Sequence, residues 1–419
     1  MKTYEPRYIV EYARENSEYH KELYKDLPQD YKWEDIPLID SAHYWNSKLN
    51  RLTGEQLDGH IFKSGGTTGE PKYSVFSHDE WVSFCEGTAI NLPRGGLKSG
   101  DKIANIYFAG AMYASFLYTY SMLCLSPAKV VQYSLSGSME ISSMLDTIKK
   151  HKINCIAAIP TSIMVMMEYI EQNKIKDLSI EIVYFAGETL QVAQREKICE
   201  VLGRDIEFRS MAYASNDGGL IGYFTKDCGF NEHRANDLMC KIEIIDDETG
   251  EVITEKNRAG TLYITALYRT LMPIIRYPVG DMAEYTEDEG IADRKFRILG
   301  RSNESLKFCH DKGGQIIYLD DVNKIVNSSG VKSDAQQLIA TTTTDNKQLV
   351  TIYVAVNNPN DYNEEDKEKI LKTFYNEYKI MLEGEELNEF EKTQIVFTTL
   401  KDLECNSVTG KLKRIIDKR

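Results

Sequence analysis

The chain has 419 residues, a formal charge of −14 and 42% hydrophobic residues. These proportions are typical of a folded globular protein and exclude a disordered or fibrous chain. The length allows two or three packed units with a cleft between them. The acidic balance argues against nucleic acid or an anionic membrane as the main partner, because both attract basic surfaces.

One uncharged stretch, residues 103–128, is long enough to cross a bilayer. It contains Asn105, Gly110, Pro127 and four tyrosines, a composition that instead predicts a buried strand, a glycine turn and a core helix. The eight cysteines are scattered along the chain, and the first residues carry no apolar targeting core. We therefore expect reduced thiols and a cytoplasmic protein that does not enter the membrane.

The middle of the chain alternates between two kinds of periodicity. Residues 140–151 and 161–174 have helical spacing, whereas 153–160 and 180–188 are short apolar runs that end at a proline and a glycine. This order predicts an α/β fold with a parallel sheet covered by helices. From 239 to 285, strand-like runs alternate with polar turns, which predicts an antiparallel sheet or small barrel.

A second α+β unit is predicted after Arg301. Its expected elements are the strand-like runs LKFCH and QIIYL, a helix near 319–329, the strand LVTIYVAV, a charged helix at 363–383 and a last strand TQIVFTTL. A polar loop and the basic tail TGKLKRIIDKR follow.

The most informative segment is Ser64-Gly65-Gly66-Thr67-Thr68-Gly69-Glu70-Pro71-Lys72. Glycines allow positive φ and close approach of the backbone to a ligand, while hydroxyl and backbone N–H groups donate to phosphoryl oxygens. The lysine adds positive charge. A Walker P-loop is excluded because Pro71 stands before Lys72. The segment therefore predicts a phosphate-binding loop of a different kind.

This loop resembles the phosphate loop of the adenylate-forming superfamily, which includes acyl-CoA synthetases, peptide-synthetase adenylation domains and firefly-type luciferases. Five later segments resemble the family's other motifs in the same order, and the first of them is most similar to the phenylacetate-CoA ligase branch. They are FAGE at 185–188, YASND at 213–217, RYPVGD at 276–281, ILGR at 298–301 and TGKLKR at 409–414.

The resemblance implies an ATP site. Tyr213 would stack on adenine, and Gly187 would let the backbone approach the edge of the base. Asp281 would accept both ribose hydroxyls, with Arg301 donating to the same sugar. The other residues implied in nucleotide binding are Ser64, Gly65, Gly66, Thr67, Thr68, Gly69, Glu188, Ala214, Ser215 and Asn216.

Three residues carry the implied chemistry. Lys72 would bind phosphate, and Asp217 stands where the family has a Mg²⁺-binding glutamate. Lys411 would neutralise charge between the acyl carboxylate and the α-phosphate.

The chain departs from the family pattern at three positions. Ala214 replaces a glycine, Asn216 replaces a hydroxyl residue, and Asn303 stands where aspartate is common.

The implied reaction is the ATP-dependent conversion of a carboxylic acid to an acyl-adenylate with release of pyrophosphate, followed by transfer to coenzyme A. The domain at 1–300 would bind ATP and acid. Residues 301–303 would form a hinge, and the small mobile domain at 304–419 would deliver Lys411. Two alternatives remain open: a free-standing enzyme that loads a carrier-protein thiol or another acceptor, and a non-catalytic acyl- or nucleotide-binding protein. Monomer and homodimer are both compatible with the sequence.

The acid pocket follows from the positions of the family's motifs. It would be formed by Tyr107, Phe108, Ala111, Met112, Met211 and Ala212. These surfaces are apolar and aromatic and include no basic residue, so we expect an aromatic monocarboxylate.

Cysteine and histidine residues offer a possible structural zinc site. The candidates are Cys228, His233, Cys240, Cys309 and His310. Thiolate and imidazole ligands suit zinc, but the sequence contains no paired C-x-x-C motif. Burial of single cysteines as small apolar residues is the alternative interpretation.

Overall fold

A computed structural model describes residues 1–53, 58–64, 72–247, 249–301, 305–310, 313–405 and 411–419. Two compact units are present. The first comprises residues 1–159, 177–189 and 206–299, and the second comprises residues 160–176, 190–205 and 300–419. Two segments between 160 and 205 thus group with the C-terminal residues. The domain limits at 1–300 and 304–419 and the hinge at 301–303 stay predictions, and residues 302 and 303 lie outside the described part of the chain.

The described residues form twelve α-helices. They are α1 (Pro6–Asn16), α2 (Glu18–Leu23), α3 (Ser41–Asn46), α4 (Leu49–Leu52), α5 (His78–Ala89), α6 (Ser115–Leu125), α7 (Ile141–His151), α8 (Pro160–Gln172), α9 (Val192–Leu202), α10 (Leu319–Ser328), α11 (Glu364–Glu377) and α12 (Lys379–Glu386).

The strands of the first unit, in chain order, form three sheets. They are β1 (His60–Lys63), β2 (Tyr73–Phe76), β3 (Lys102–Asn105), β4 (Val131–Ser134), β5 (Cys155–Ala158), β6 (Ile182–Phe185), β7 (Glu207–Ser210), β8 (Tyr213–Ser215), β9 (Gly219–Tyr223), β10 (Glu232–Ala235), β11 (Cys240–Ile245), β12 (Val252–Ile253), β13 (Gly260–Ala266), β14 (Tyr277–Tyr285) and β15 (Lys295–Arg301), whose last two residues belong to the second unit.

The predicted parallel sheet is confirmed. It has the strand order β4-β3-β5-β6-β7, and every neighbouring pair is parallel. All residues of β5 and β6 are buried, which is why both strands are continuous apolar runs in the sequence. Helices α7, α8 and α9 alternate with the strands along the chain, as the periodicity predicts.

The uncharged stretch at 103–128 folds into β3, a turn at Gly110 and helix α6. The expected strand, turn and helix are therefore present. The expectation of a core helix holds for one face only, because Leu117 is 50% and Tyr120 47% exposed. Within the described residues, no helix combines the length and the hydropathy that a bilayer crossing requires.

The predicted antiparallel region is also confirmed. An eight-stranded sheet has the order β12-β11-β13-β14-β15-β10-β9-β8. Strand β11 pairs antiparallel with β13 from Cys240 opposite Ala266 to Ile245 opposite Thr261. The hairpin of β8 and β9 forms one edge of this sheet. Residues 216–218 lie in the turn of that hairpin.

The second unit contains a hairpin and a mixed sheet. Strands β16 (Ser305–His310) and β17 (Gly313–Tyr318) pair antiparallel. Strands β18 (Ala335–Thr342), β19 (Gln348–Ala355), β20 (Gln394–Thr398) and β21 (Ile415–Lys418) form a sheet with the order β20-β19-β18-β21.

Two expectations for the second unit were wrong. The charged helix expected at 363–383 is two helices, α11 and α12, because Tyr378 leaves the helical conformation at φ −113° and ψ 69°. The run TQIVFTTL is not the last strand, since β21 in the basic tail pairs parallel with β18 and places Ile415 opposite Leu338. Both residues belong to the buried core of this unit, so burial overrides the polar composition of the tail.

Candidate functional site

The two ends of the predicted phosphate loop are held together by the β1–β2 hairpin. The Ser64 backbone N–H donates to the Lys72 carbonyl oxygen at 2.8 Å, and the Lys72 N–H donates to Ser64 Oγ at 3.2 Å. The predicted phosphate ligands Gly65, Gly66, Thr67, Thr68 and Gly69 lie outside the described residues. The described part of this segment thus places Lys72 directly before β2.

Asp217 lies in the turn between β8 and β9, and two glycines allow this turn. A Cβ atom at Gly218 would come within 1.9 Å of Ile264 Cδ1, and one at Gly219 within 1.7 Å of Tyr268 Oη. Gly219 also has a φ of +75°, which favours glycine. The turn therefore packs closely onto the sheet and carries Asp217 into a buried position, 8% exposed.

Lys72, Asp217 and Tyr277 form a hydrogen-bonded cluster. Asp217 Oδ2 accepts from Tyr277 Oη at 2.9 Å and from Lys72 Nζ at 3.4 Å, and Lys72 Nζ is 3.2 Å from Tyr277 Oη. Asp217 Oδ1 is buried and has no hydrogen-bond partner among the described residues. A buried carboxylate oxygen of this kind suits Mg²⁺, which commonly binds one or two carboxylates together with phosphate oxygens.

Arg269 is a site residue that the sequence reasoning missed. Its side chain is fully buried and donates to the Asp217 carbonyl oxygen and, at 2.6 Å, to the Val75 carbonyl oxygen. It thereby ties the turn that carries Asp217 to the strand that follows Lys72. No sequence signal predicts this role, because an isolated arginine after β13 is expected to be an ordinary exposed residue.

Tyr213 and Asp281, assigned to adenine and ribose, lie in direct contact. The Tyr213 hydroxyl donates to Asp281 Oδ2. The Tyr213 ring also lies 5.4 Å from the His233 ring and 5.7 Å from the Phe296 ring, measured between centroids. The structure brings these two predicted nucleotide residues together and fixes the orientation of the tyrosine.

The other described residues of the first unit that are predicted to bind nucleotide follow β6 or lie in and directly after β8. Gly187 follows β6 with φ +83°, a conformation that favours glycine. Ser215 Oγ accepts from the Gly218 N–H at 2.8 Å, and Asn216 Nδ2 donates to the Phe62 carbonyl oxygen at 3.4 Å. Glu188 and Ala214 are partly buried. Asn216 thus uses one amide donor to hold its own turn beside β1.

Two predicted residues belong to the second unit. Arg301 is exposed at the end of β15. Lys411 is partly buried and directly precedes Leu412, which forms an isolated bridge with Cys405. The roles of Arg301 and Lys411 stay predictions.

The predicted acid pocket is divided between buried and exposed positions. Tyr107, Met211 and Ala212 are buried in the same core cluster, and burial raises the pKa of Tyr107. Phe108 is partly buried. Ala111 and Met112 are exposed and have left-handed φ values of 47° and 65°. The last two therefore form a surface turn, and the Met112 carbonyl oxygen accepts from the Lys63 N–H at 2.9 Å.

The candidate zinc ligands have other partners. His233 Nε2 is 2.8 Å from Ser210 Oγ, and burial lowers the pKa of His233 to about 4. Cys228 Sγ is 3.3 Å from Thr225 Oγ1, and Cys240 is fully buried, which raises its pKa. The described residues contain no group of three or more His, Cys, Asp or Glu side chains that could hold a metal ion. The side chains of Cys309 and His310 lie outside the description.

A groove of about 1340 Å³ lies elsewhere in the first unit, lined by residues 3–6, 33–38 and parts of β11 and β12. It contains none of the residues predicted to bind nucleotide or acid or to carry the chemistry, although the candidate zinc ligand Cys240 lines it. The volume of a groove therefore does not identify the candidate site. The candidate site is instead the cluster of Lys72, Asp217 and Tyr277.

The parallel five-stranded sheet with its alternating helices and the eight-stranded antiparallel sheet define an α/β protein. The family model for AMP-binding enzymes matches residues 46–268, more than half of the chain. The chain therefore belongs to the AMP-binding enzyme family.

Two curated relatives are similar along much of their length. Indoleacetate–lysine synthetase of Pseudomonas savastanoi is 22% identical over 390 residues, which cover 92% of this chain and 90% of the relative. Phenylacetate-coenzyme A ligase of Thermus thermophilus is 24% identical over 320 residues, which cover 71% of this chain and 69% of the relative.

Solved structures share the fold. A 2-hydroxyisobutyryl-CoA ligase in the postadenylation state, in complex with 2-HIB-AMP, has a TM-score of 0.72 and 14% identity, with 99% of this chain and 90% of that chain covered. ATP-bound MatB from Rhodopseudomonas palustris has a TM-score of 0.55 and 14% identity, with 84% and 66% covered. The α/β fold predicted from the sequence is thus confirmed.

Proposed function

We propose that the protein activates a carboxylic acid with ATP. A carboxylate oxygen attacks the α-phosphorus, the bond from that phosphorus to the bridging oxygen of pyrophosphate breaks, and an acyl-adenylate forms. The observation that carries the proposal is the cluster of Lys72 and buried Asp217 beside the predicted phosphate loop. This cluster lies in a chain of the AMP-binding enzyme family.

The chain's own groups would bind and orient the substrates. Lys72 would pair with phosphate, and Asp281, with the Tyr213 hydroxyl already bound to it, would accept the ribose hydroxyls. Asp217 would hold Mg²⁺, which neutralises phosphate charge when bound. Lys411 would place a positive charge between the acid and the α-phosphate.

For the acid, we propose an aromatic monocarboxylate. The predicted pocket residues Tyr107, Met211 and Ala212 present an apolar surface, which suits an aromatic ring. Both curated relatives carry the name of an aromatic acetic acid, indoleacetate in one and phenylacetate in the other.

Two classes of acceptor are proposed for the second step. A thiol, coenzyme A, follows from the resemblance to acyl-CoA ligases. An amine is the second candidate, because the relative named a lysine synthetase matches 92% of this chain and the CoA ligase 71%. In either case the nucleophile attacks the acyl carbon, the bond to the AMP oxygen breaks and the nucleophile loses a proton.

The experiment is a pyrophosphate-release screen. Aromatic, aliphatic and dicarboxylic acids are tested with ATP and Mg²⁺, first alone and then with coenzyme A or lysine, and the products are identified by mass spectrometry. We expect release that depends on an aromatic acid, and a thioester or an amide according to the acceptor. Release without any acid dependence would contradict the proposal, and ATP binding without turnover would favour a non-catalytic binding protein.

A further inference from the structure

The Tyr277 hydroxyl has a defined direction of hydrogen bonding. Trp45 Nε1 lies 2.8 Å from Tyr277 Oη and Lys72 Nζ lies 3.2 Å from it. An indole N–H and an ammonium group can only donate, so both occupy lone pairs of the tyrosine oxygen. The tyrosine proton is left to donate, and the nearest acceptor is Asp217 Oδ2 at 2.9 Å, closer than Ser41 Oγ at 3.3 Å.

The surroundings keep this hydroxyl in place. The Tyr277 ring is fully buried and contacts the rings of Trp45 and Tyr44, with centroids 6.3 Å and 5.9 Å away. The ring packing therefore holds the donor beside Asp217.

The same hydroxyl contacts both members of the Lys72–Asp217 ion pair. Lys72 Nζ is 3.4 Å from Asp217 Oδ2, a long contact for an ion pair, and lies 5.4 Å from the centroid of the Trp45 ring. Tyr277 and Trp45 thus hold the ammonium beside the carboxylate without a short pair. A shorter pair would compete more strongly with a metal ion for the carboxylate, because the attraction between opposite charges rises as their distance falls.

We infer that Tyr277 is a positioning residue and that Trp45 supports it. The Tyr277 hydroxyl donates to Asp217 Oδ2 and accepts from Lys72 Nζ. Asp217 Oδ1 is thereby left as the oxygen available to a metal ion. This inference rests on the proposed function, in which Asp217 holds Mg²⁺ during nucleotide binding. Tyr277 itself contacts neither metal nor nucleotide in this account.

The first test measures the Mg²⁺ dependence of pyrophosphate release in Tyr277→Phe. Loss of the hydroxyl lets Lys72 approach Asp217, so we expect the Mg²⁺ concentration at half-maximal rate to rise about tenfold, with the KM for the acid unchanged. Tyr44→Phe is the matched control. Tyr44 is equally buried in the same ring cluster, and its hydroxyl donates to the Pro273 carbonyl oxygen at 3.1 Å, not to Asp217.

A second readout does not depend on turnover. The increase in melting temperature caused by ATP is measured with Mg²⁺ and with EDTA. We expect the extra increase due to Mg²⁺ to be present in wild type and Tyr44→Phe and strongly reduced in Tyr277→Phe. Trp45→Phe keeps a ring but loses the donor, and we expect it to change both readouts in the same direction by less.

The outcomes separate this inference from the proposed function. If wild type releases pyrophosphate and Tyr277→Phe keeps both Mg²⁺ readouts at the wild-type value, the positioning role is overturned and the function stands. If wild type releases no pyrophosphate with any acid, the function fails and the melting-temperature readout still decides on Tyr277. If Mg²⁺ adds nothing to the effect of ATP on wild type, Asp217 binds no metal and the inference fails.

Discussion

Two ion pairs, Arg276–Glu243 and Lys72–Asp217, differ in how completely their atoms are paired. The neighbouring residues Arg276 and Tyr277 link them in the chain, because Tyr277 donates a hydrogen bond to Asp217. Arg276 binds Glu243 through two contacts of 3.1 and 3.2 Å, and both side chains are only 4% exposed. Arg276 also donates to the Ile36 carbonyl oxygen at 2.7 Å. In contrast, Lys72 and Asp217 meet at one contact of 3.4 Å, with side chains 36% and 12% exposed.

From this difference we predict a structural role for the first pair and a functional role for the second. The Arg276–Glu243 pair has its charges fully engaged, so it has no free atom for a ligand and its loss leaves a buried charge. In the other pair, Asp217 Oδ1 has no partner among the described residues. A buried carboxylate oxygen without a hydrogen-bond partner lowers the free energy of unfolding unless a ligand binds to it. We therefore expect the first pair to control folding and the second to control chemistry.

The largest effect is expected from breaking the structural pair. Glu243→Leu leaves Arg276 buried without its carboxylate, and we expect a loss of about 3–5 kcal/mol in the free energy of unfolding. Denaturant titration measures this loss. At temperatures where the variant is folded, its half-saturating Mg²⁺ concentration should equal that of wild type. A loss below about 1 kcal/mol would show that the two pairs do not differ in the proposed way.

The second-largest effect is expected at Lys411, which belongs to neither of these two ion pairs. Lys411→Ala should slow adenylate formation by about a hundredfold or more, because an ammonium group would no longer stabilise the transition state. The melting temperature should change little, since Lys411 is only partly buried. Stopped-flow or quenched-flow measurement of pyrophosphate checks the rate. An unchanged rate would remove Lys411 from the catalytic residues.

A smaller effect on rate is expected at Asp217 itself. Asp217→Asn keeps a similar shape but loses the negative charge, so we expect about tenfold slower turnover, a higher Mg²⁺ requirement and no loss of stability. Asp217→Glu restores the residue type of the family and should keep more activity than the Asn variant. Equal Mg²⁺ dependence in Asp217→Asn and wild type would place the ion elsewhere.

The smallest effect is a pH dependence in the second unit. Burial, with a smaller contribution from Glu168 and Glu171, raises the pKa of Asp334 to about 6 from an ordinary value of 3.8. Between these values the folded state binds more protons than the unfolded state, so this group makes the protein less stable as the pH rises from about 4 to 6. Asp334→Asn should therefore nearly match wild type at pH 4 and be more stable than wild type at pH 7. Equal stability of variant and wild type at both pH values would contradict this account.

Local sequence signals predicted much of the fold. Apolar runs and helical spacing were sufficient for β5, β6, α7 and α8, because each of these elements follows its own periodicity. The break at Tyr378 and strand β21 depend on packing against distant residues, such as Leu338 opposite Ile415, and no local pattern encodes that pairing.

The candidate site was predictable only in part for a similar reason. Lys72 and Asp217 were found through motifs, and the structure brings them together. The roles of Tyr277, Trp45 and Arg269 depend on contacts between residues that are far apart in the chain, the Arg269 contact with Asp217 spanning 52 positions and the Trp45 contact with Tyr277 spanning 232. Such contacts follow from the fold and not from residue type.

Isotope transfer from the acid tests the central claim, activation of a carboxylate at the α-phosphate, most directly. An aromatic acid that supports pyrophosphate release is labelled with ¹⁸O in its carboxylate and incubated with ATP, Mg²⁺ and the acceptor, and the AMP is analysed by mass spectrometry. The account predicts one ¹⁸O atom in AMP for each turnover, because the carboxylate oxygen bonded to the α-phosphorus stays with AMP when the acyl group leaves. AMP without label, or label in inorganic phosphate, would contradict the account.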